Sequence, residues 1–573
     1  MPVYNSDVSR ILGRMADLLE IEGANRFRVR AYRNAARTIA TLPRNIADMI
    51  DDGEDLTEME GIGKELAAKI QEIVETGDLE QLEEIEARTP PELAEMLRLP
   101  GLGPKRVKLL YDELGITTLE ELEEAARAGK VRELEGLGEK TEQKIIDELA
   151  RTKDEEKRTR IDVAEELAEP LVRYLRGISG VERVEVAGSY RRRQETIGDL
   201  DILATGENGQ EIIERFVEYE DVQKIVSQGE TRSTVLLRLD MQVDLRVVHK
   251  ESYGAAMHYF TGSKEHNIAV RRMGVDRGLK VNEYGVFRDD ERIAGETEEE
   301  IYDLFDLDYV PAELRENRGE LEAAREGRLP QLITVEDIRG DLQSHTTASD
   351  GKASLKQMAE AAKERGYAYL AITDHSTRVA VTQGLDAEGL AEQMEEIDRL
   401  NDELDGIRLL KGIEVDILDD GSLDLSDDVL GRVDLTVCSV HSSFGMSRDK
   451  QTERIMRAMD NPHFNILAHP TGRLIGERQP YDIDLERIME AALERGCFLE
   501  INASPNRLDL DDVHAKMAKE MGLKLAISTD AHRVSELGYM RFGVDQARRG
   551  WIEPDDVLNT RSWDDLRELL KRG

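Results

Sequence analysis

Cysteine is nearly absent: Cys438 and Cys497 are the two in 573 residues, and both sit inside apolar runs. That excludes a disulfide framework and a thiolate zinc site, and it fits a reducing cytoplasm. Long apolar runs are missing too. None approaches the roughly 20 residues that cross a bilayer, and the first residues lack the order of a signal peptide. The expectation is a cytoplasmic protein with no membrane partner. Lysine is scarce, 22 against 56 Arg, and acids outnumber bases 120 to 78, for a net charge of −42. That sign opposes a polyanionic partner unless the contacts are locally basic. Acid excess with depleted lysine is the composition of a halophilic, salt-tolerant proteome, where salt screens self-repulsion. The length exceeds a single core and predicts three or four domains.

What is present begins with Gly188-Ser189-Tyr190-Arg191-Arg192, followed by Gly198-Asp199-Leu200-Asp201 and later by Val243-Asp244-Leu245-Arg246. Asp199 and Asp201 stand two apart in an apolar setting, so on a strand both carboxylates face one side. Asp244, in the strand-like run from Met241 to Val248, can supply a third. Three hard oxygen donors on adjacent strands suit a pair of Mg²⁺ ions completed by substrate phosphates. The Gly-Ser turn follows an alternating strand (Val181, Val184, Val186) and offers N–H groups, a hydroxyl and guanidinium groups to phosphate. Together they read as nucleotidyl transfer by two metal ions.

The first 150 residues are helical in pattern and repeat a Gly-x-Gly turn that opens a helix. The pairs are Gly61 and Gly63, Gly101 and Gly103, and Gly136 and Gly138, at spacings of 40 and 35 residues. These look like helix-hairpin-helix units, whose turns present backbone N–H groups to a DNA phosphate whatever the base. The stretch Arg151 to Arg160 is charged, and Glu313 to Arg328 reads as a linker or connecting helix.

From about Val335 strands and helices alternate, with apolar strands ending at Asp341, Ile372, Val415, Val440, Leu467, Ile501 and Ile527. That pattern predicts a β/α barrel. Metal-binding residue types cluster at those ends: Gln343, His345 and Asp350; Asp374 and His375; Glu414; His441; His469; Asp530 and His532. Five of the seven histidines beyond residue 335 fall there; His463 and His514 do not, and are read as ordinary surface or core residues. Imidazole and carboxylate without thiolate favour Mn²⁺, Zn²⁺ or Fe over Mg²⁺.

Both halves resemble a known family. Residues 1–315 are similar to a family X DNA polymerase through GSYRR, GDLDIL, VDLRVV and Tyr259-Phe260-Thr261-Gly262-Ser263, with Asn267 and Arg271 downstream. Residues 336–573 resemble a polymerase-and-histidinol-phosphatase (PHP) domain through DLQSHTTASDG, TDHS, GIEVD, VHSS, AHPTGR and STDAH. The resemblance implies helical helix-hairpin-helix N-terminal domains, an α+β nucleotidyltransferase palm and a C-terminal distorted β/α barrel. The implied divisions are a lyase-like DNA-binding domain at 1–86, a fingers-like domain at 87–150 and a palm at 151–250. A thumb-like domain at 251–315, a linker at 316–335 and a PHP nuclease at 336–573 follow.

It implies roles as well. Asp199 and Asp201 would hold both metals, Mg²⁺ or Mn²⁺, and Asp244 would help activate the primer 3′-hydroxyl. Gly188, Ser189, Arg192 and Gly198 would serve the nucleotide, with Ser189 and Arg192 on its triphosphate. Tyr259, Phe260 and Gly262 would line the sugar site, Asn267 would reach the minor-groove edge of the incoming base, and Arg271 would touch the template side. The barrel would be a 3′–5′ exonuclease using Mn²⁺ or Zn²⁺, with abasic-site cutting or 3′-phosphate removal in addition. The implied partners are gapped or primed duplex DNA with its 3′ ends and dNTPs, bound by a monomer.

Some positions depart from the family pattern. Gln343 stands where a first His is common, Arg193 where many relatives have Gly, and Lys264 where the family pattern has an acidic residue to contact the base. Lys69 matches a Schiff-base lysine of relatives with lyase activity, and Tyr32 a nearby tyrosine, but Glu65 and Arg28 replace the neighbouring phosphate-binding lysines. Two other readings compete: a nucleotidyltransferase acting on a small molecule or RNA end and fused to a phosphatase, and a DNA-end scaffold with decayed sites. The hairpin repeats, with Asn267 and Arg271, argue against the first, and the intact aspartates and metal-type residues against the second.

The charge makes its own test. Salt should raise the melting temperature by screening self-repulsion, and activity should peak at elevated ionic strength. A melt highest at low salt refutes the halophilic reading.

Overall fold

The computed structural model describes residues 5–40, 46–51, 53–59, 61–97, 99, 102–134, 136–155, 158–377 and 384–571. The chain divides into two compact units, Met1–Arg158 and Thr159–Gly573. Among the described residues, no helix is long and apolar enough to cross a membrane.

The first unit is helical around one core. Asn5–Ile21 and Arg26–Ala40 pack together, and Leu12, Met15, Leu18 and Ile39 join Ile70, Ile73, Val107 and Leu110 in a shared apolar cluster. The Gly-x-Gly turns start helices. Gly61 takes a φ of 79° and Gly63 caps Lys64–Thr76; Gly103 caps Pro104–Leu114; Gly136, at 83°, and Gly138 lead into Glu139–Glu155. The apolar residue between the glycines, Ile62, Leu102 or Leu137, is buried and anchors each turn. Gly101, with the flanking Glu60, Pro100 and Glu135, lies outside the described residues.

The second unit opens with a five-stranded sheet in the order Val181–Val186, Asp199–Gly206, Gln242–Val247, Arg232–Leu236, Lys224–Gln228. Leu200, Ile202 and Ala204 face a core shared with the helix Ile161–Arg176, while period-2 alternation puts Asp199, Asp201 and Leu203 on the opposite face. The helices Tyr253–Thr261 and Lys264–Asp276 follow, with an antiparallel three-stranded sheet from Lys280 to Ala294. The segment 316–335 carries the helix Glu320–Arg325, whose Leu321 and Ala324 pack into the core of these elements.

Seven parallel strands come next, in sequence order from Gly340–Asp341 to Leu525–Ser528. A bridge between Ser344 and Ala531 brings the first strand beside the last, giving a nearly closed barrel. Its interior is filled by Leu342, Tyr369, Leu410, Val437, Ile466 and Ala526, and Leu566 and Leu570 of the final helix Trp563–Leu570 join them. Strands buried on both faces read as continuous apolar runs, which is why they were visible in the sequence. The barrel packs directly on the five-stranded sheet: Leu508 and Phe542 enter that sheet's core, and Arg473 forks onto Glu195 at 2.6 and 3.3 Å.

Candidate functional site

Two sites emerge from strand ends in the second unit. In the five-stranded sheet, Asp199–Gly206 and Gln242–Val247 run parallel in a register that sets Asp201 directly opposite Asp244. Asp244 is buried and held by Thr234 Oγ1 at 2.5 Å and Gln242 Nε2 at 2.9 Å, with Arg232 at 3.3 Å. Burial, then the charges of Asp199 and Asp244, push the Asp201 carboxyl up to about 7. Three acids that repel one another on one face are an oxygen donor set suited to divalent cations.

The turn Gly188–Arg191 lies against this face. Gly188 adopts a φ of 63°, and a Cβ there would stand 2.9 Å from Asp201 Oδ2, so this contact requires glycine. Ser189 Oγ is buried and makes no hydrogen bond among the described residues, and Arg192 forks onto Glu316 and the Thr261 carbonyl. Asn267 donates to the Tyr259 carbonyl at 2.7 Å, Arg271 stacks over the Tyr259 ring at 4.9 Å, and Phe260 lies edge-on to Tyr259. Gly262, in left-handed backbone, abuts Arg192, and Gly198 immediately precedes the Asp199 strand. Lys264 is exposed at the start of its helix. Arg246, over Phe260 at 4.3 Å, was not singled out in the sequence, although it sits two residues beyond Asp244 on the same strand face.

At the barrel mouth Glu414 is the hub. Its Oε2 lies 3.3 Å from both His345 Nε2 and His375 Nδ1, and its Oε1 lies 3.4 Å from His441 Nε2 and 3.2 Å from His469 Nε2. Asp530 Oδ1 is 3.0 Å from His345 Nε2, and Asp350 is 3.3 Å from His532 Nε2 and 3.6 Å from His375 Nε2. Donor atoms within 4.8 Å of one another form three overlapping groups: His345, Asp350, His375 and His532; His375, Glu414 and His441; His345, Glu414 and Asp530. Among the described residues, the buried His345 Nδ1 and Nε2, His375 Nδ1 and His469 Nδ1 make no well-aligned hydrogen bond, although carboxylates lie close to some of them, which fits cation ligands. Gln343 donates to Glu414 at 3.1 Å and Asp530 at 3.4 Å, with its own Oε1 buried and unpaired.

The backbone bends to build this mouth. His469 and Asp530 adopt positive φ of 29° and 55°, unusual for residues with a Cβ and frequent at functional sites. Gly351 lets the Asp350 loop close on His345, since a Cβ would fall 2.6 Å from the His345 backbone. Burial disfavours its charge, yet Asp530 and Glu414 raise the His345 imidazole well above its ordinary range. Burial, helped by the neighbouring His345 and His441 and opposed by Glu414 and Asp350, brings His375 down to about 4. Asp374 is not part of the cluster: it accepts from Thr346, Ser349 and Gln393 and shapes the loop behind it. Sequence reasoning missed Asp416, which sits 2.9 Å from His441 Nδ1 and orients that ring, and Arg507, whose Nε lies 3.7 Å from Asp530. The GIEVD run contains Asp416, two residues beyond Glu414, so period 2 could have found it. His463 and His514 stay apart from the cluster, the latter on Asp511.

In the first unit, Lys69 Nζ contacts Tyr32, Glu65 at 2.7 Å and Gln81 at 2.5 Å. Partial burial opposes its charge, but Glu65 and Tyr32 raise its pKa overall. An amine held protonated is not a nucleophile.

Sequence comparisons bear on the family of the chain and the domains it contains. Family models match a helix-hairpin-helix domain at residues 3–79, a SAM-like helix-hairpin-helix tandem at 93–151, a DNA polymerase beta thumb at 256–316 and a PHP domain at 341–504. A DNA polymerase/3′-5′ exonuclease PolX of Bacillus subtilis (strain 168) is 39% identical over 575 residues, covering 100% of both chains. The chain belongs to the family X DNA polymerases that carry a C-terminal PHP domain. Probable phosphatases of Thermoanaerobacter sp. (strain X514) and Caldanaerobacter subterraneus subsp. tengcongensis are 33% and 30% identical over 40% of this chain, and over 94% and 90% of their own. As a family X polymerase with a PHP domain the chain is a metal-dependent enzyme, and its two clusters offer donors of the kinds such ions take.

The Asp201 shift gives a test in metal-free protein. A carboxyl whose folded pKa exceeds its unfolded value, about 3.9, destabilises the fold increasingly as pH rises through that interval, and levels off above about 7. Asp201→Asn should therefore raise the melting temperature at pH 8 and leave it unchanged at pH 3.5. Equal shifts at both pH values would contradict the raised pKa.

Proposed function

We propose that this enzyme fills short gaps in DNA during repair in the cytoplasm, copying a template in the five-stranded sheet and trimming 3′ ends at the barrel mouth. The observation that carries the reading is the register that faces Asp201 with Asp244, beside a turn whose Ser189 and Arg192 suit a triphosphate. Divalent cations, Mg²⁺ or Mn²⁺ at the sheet and Mn²⁺ or Zn²⁺ at the barrel, would polarise phosphate oxygens and acidify a bound water. Asp199, Asp201 and Asp244 hold the sheet cations, with Asp244 nearest the primer hydroxyl. Gly188, Ser189, Arg192 and Gly198 seat the phosphates; Tyr259, Phe260 and Gly262 line the sugar; Asn267 and Arg271 meet the base pair. Gln343, His345, Asp350, His375, Glu414, His441, His469, Asp530 and His532 hold the barrel cations, with Gln343 contributing its Oε1. The Gly-x-Gly turns of the first unit grip DNA phosphates without base preference. In this scheme the divisions are 1–86, 87–150, 151–250, 251–315, 316–335 and 336–573, and the protein works as a monomer. Lys69, salt-bridged to Glu65, makes lyase chemistry at most a secondary activity.

Primed templates offered each dNTP singly separate this reading from an untemplated nucleotidyltransferase, since only the templated base should be added. Asp199→Ala should cut extension about a thousandfold, several kcal/mol at the transferring phosphoryl group, with digestion intact. His345→Ala or His441→Ala should abolish 3′–5′ digestion and spare extension. Nitrogen-rich ligation should make Mn²⁺ outperform Mg²⁺ in digestion. Digestion persisting in both histidine variants would place the nuclease elsewhere.

The likeness to probable phosphatases favours a second activity at the barrel, removal of 3′-phosphates. Release of inorganic phosphate from a 3′-phosphorylated primer, lost in His345→Ala, tests it.

A further inference from the structure

The barrel reaches the nucleotide-binding turn of the other active site. The helix Met540–Arg549 holds the Arg192–Arg193 pair: Arg549 Nη1 donates to the Arg192 carbonyl at 2.7 Å, and Asp545 lies 3.7 Å from the Arg193 guanidinium. Arg193 follows in left-handed backbone, φ 55°, a conformation that persists only when its surroundings enforce it. Glu316 completes the arrangement. Its Oε1 accepts from Arg192 Nε at 3.0 Å, Gln194 Nε2 at 3.1 Å and Arg549 Nη1 at 3.0 Å. Asp512, also on the barrel, fixes Arg549 Nη2 at 2.6 Å and takes Arg318 at 2.9 Å.

The Arg192 fork is thus committed on two sides. Nε is on Glu316 and Nη1 is on the Thr261 carbonyl just before Gly262, and among the described residues Nη2 makes no hydrogen bond, so it can meet a phosphate oxygen. Arg549 is buried and Glu316 nearly so, which strengthens each hydrogen bond and makes the loss of one partner costly.

We propose that Arg549 of the barrel, acting through Glu316 and the Arg192 carbonyl, is a positioning residue for the incoming nucleotide's triphosphate. The barrel is then part of the polymerase's nucleotide site as well as a nuclease. This rests on the reading of Arg192 as a triphosphate ligand. A guanidinium already oriented loses less side-chain freedom when phosphate arrives, so the clamp acts on nucleotide affinity rather than on the chemical step.

The test uses full-length Arg549→Ala, Glu316→Gln, Arg192→Ala and the Arg192→Ala/Arg549→Ala pair. Extension kinetics are read on a gapped template with a phosphorothioate-ended primer, which slows digestion. Digestion of an ordinary primer and thermal melts report the barrel's integrity. Arg549→Ala should raise the dNTP KM about tenfold, leave kcat within about threefold, and digest at the wild-type rate. Glu316→Gln should shift KM the same way by less, and the pair should be no worse than Arg192→Ala alone. An unchanged KM in Arg549→Ala beside a raised KM in Arg192→Ala, or additive effects in the pair, overturns the clamp and leaves the triphosphate reading standing. An unchanged KM in Arg192→Ala overturns both. If Arg549→Ala misfolds and loses digestion, Glu316→Gln decides, and an unchanged KM there overturns the clamp.

Discussion

Carboxylates crowded at strand ends, closer together than like charges tolerate in a partly buried setting, are the constraint on which both sites depend. In the five-stranded sheet the conflict is only partly met: Asp201 faces Asp244, Asp199 adds its charge, and Arg246 and Arg192 offset too little of it to keep the Asp201 carboxyl in its ordinary range. At the barrel mouth the same conflict is met with imidazoles. The histidines around them hold the Glu414 and Asp530 carboxyls well below the usual range, and the two carboxylates in turn raise the His345 imidazole. One site therefore presents oxygen donors and the other mixed nitrogen and oxygen donors, a chemical division of labour between hard and borderline cations.

Arginine resolves the charge elsewhere, at the joints between elements. Arg315 and Arg191 converge on Glu298, and burial that would raise its carboxyl is overcome, leaving it at about 2. Arg473 forks onto Glu195, and Arg549 and Arg192 share Glu316. Planar, always-charged forks hold two acceptors in a fixed, preorganised geometry that lysine's flexible point charge does not impose, so the high ratio of Arg to Lys has a use in the interior as well as on the surface. Buried pairs of this kind add little net stability but fix geometry, because breaking one strands a charge. They tie the turn, the thumb-like helices and the barrel into one unit.

The barrel and the sheet were legible in the sequence because their signals are local. Doubly buried parallel strands read as apolar runs, Asp-x-Asp on a strand dictates a shared face, and metal-type residues stand directly after the strands. The same locality explains what was less visible. The segment 316–335 is charged in sequence, yet Glu320 is buried on His266 and Leu321 enters an apolar core, because the charges find partners far along the chain. Asp416 and Arg507 carry no signature of their own until the fold sets them beside His441 and Asp530.

The sequence by itself determined which residues are chemically able to act: the three aspartates, the Gly-Ser turn, the histidines at strand ends and the Gly-x-Gly hairpins. Spacing and residue type suffice there, since each depends on a few neighbours along one strand or turn. Only the tertiary structure decided which of them meet. Parallel register brought Asp201 opposite Asp244, and barrel closure carried Asp530 and His532 to His345. Packing of the barrel on the sheet set Arg549 behind Arg192, a pairing of residues more than 300 positions apart that no local pattern could encode.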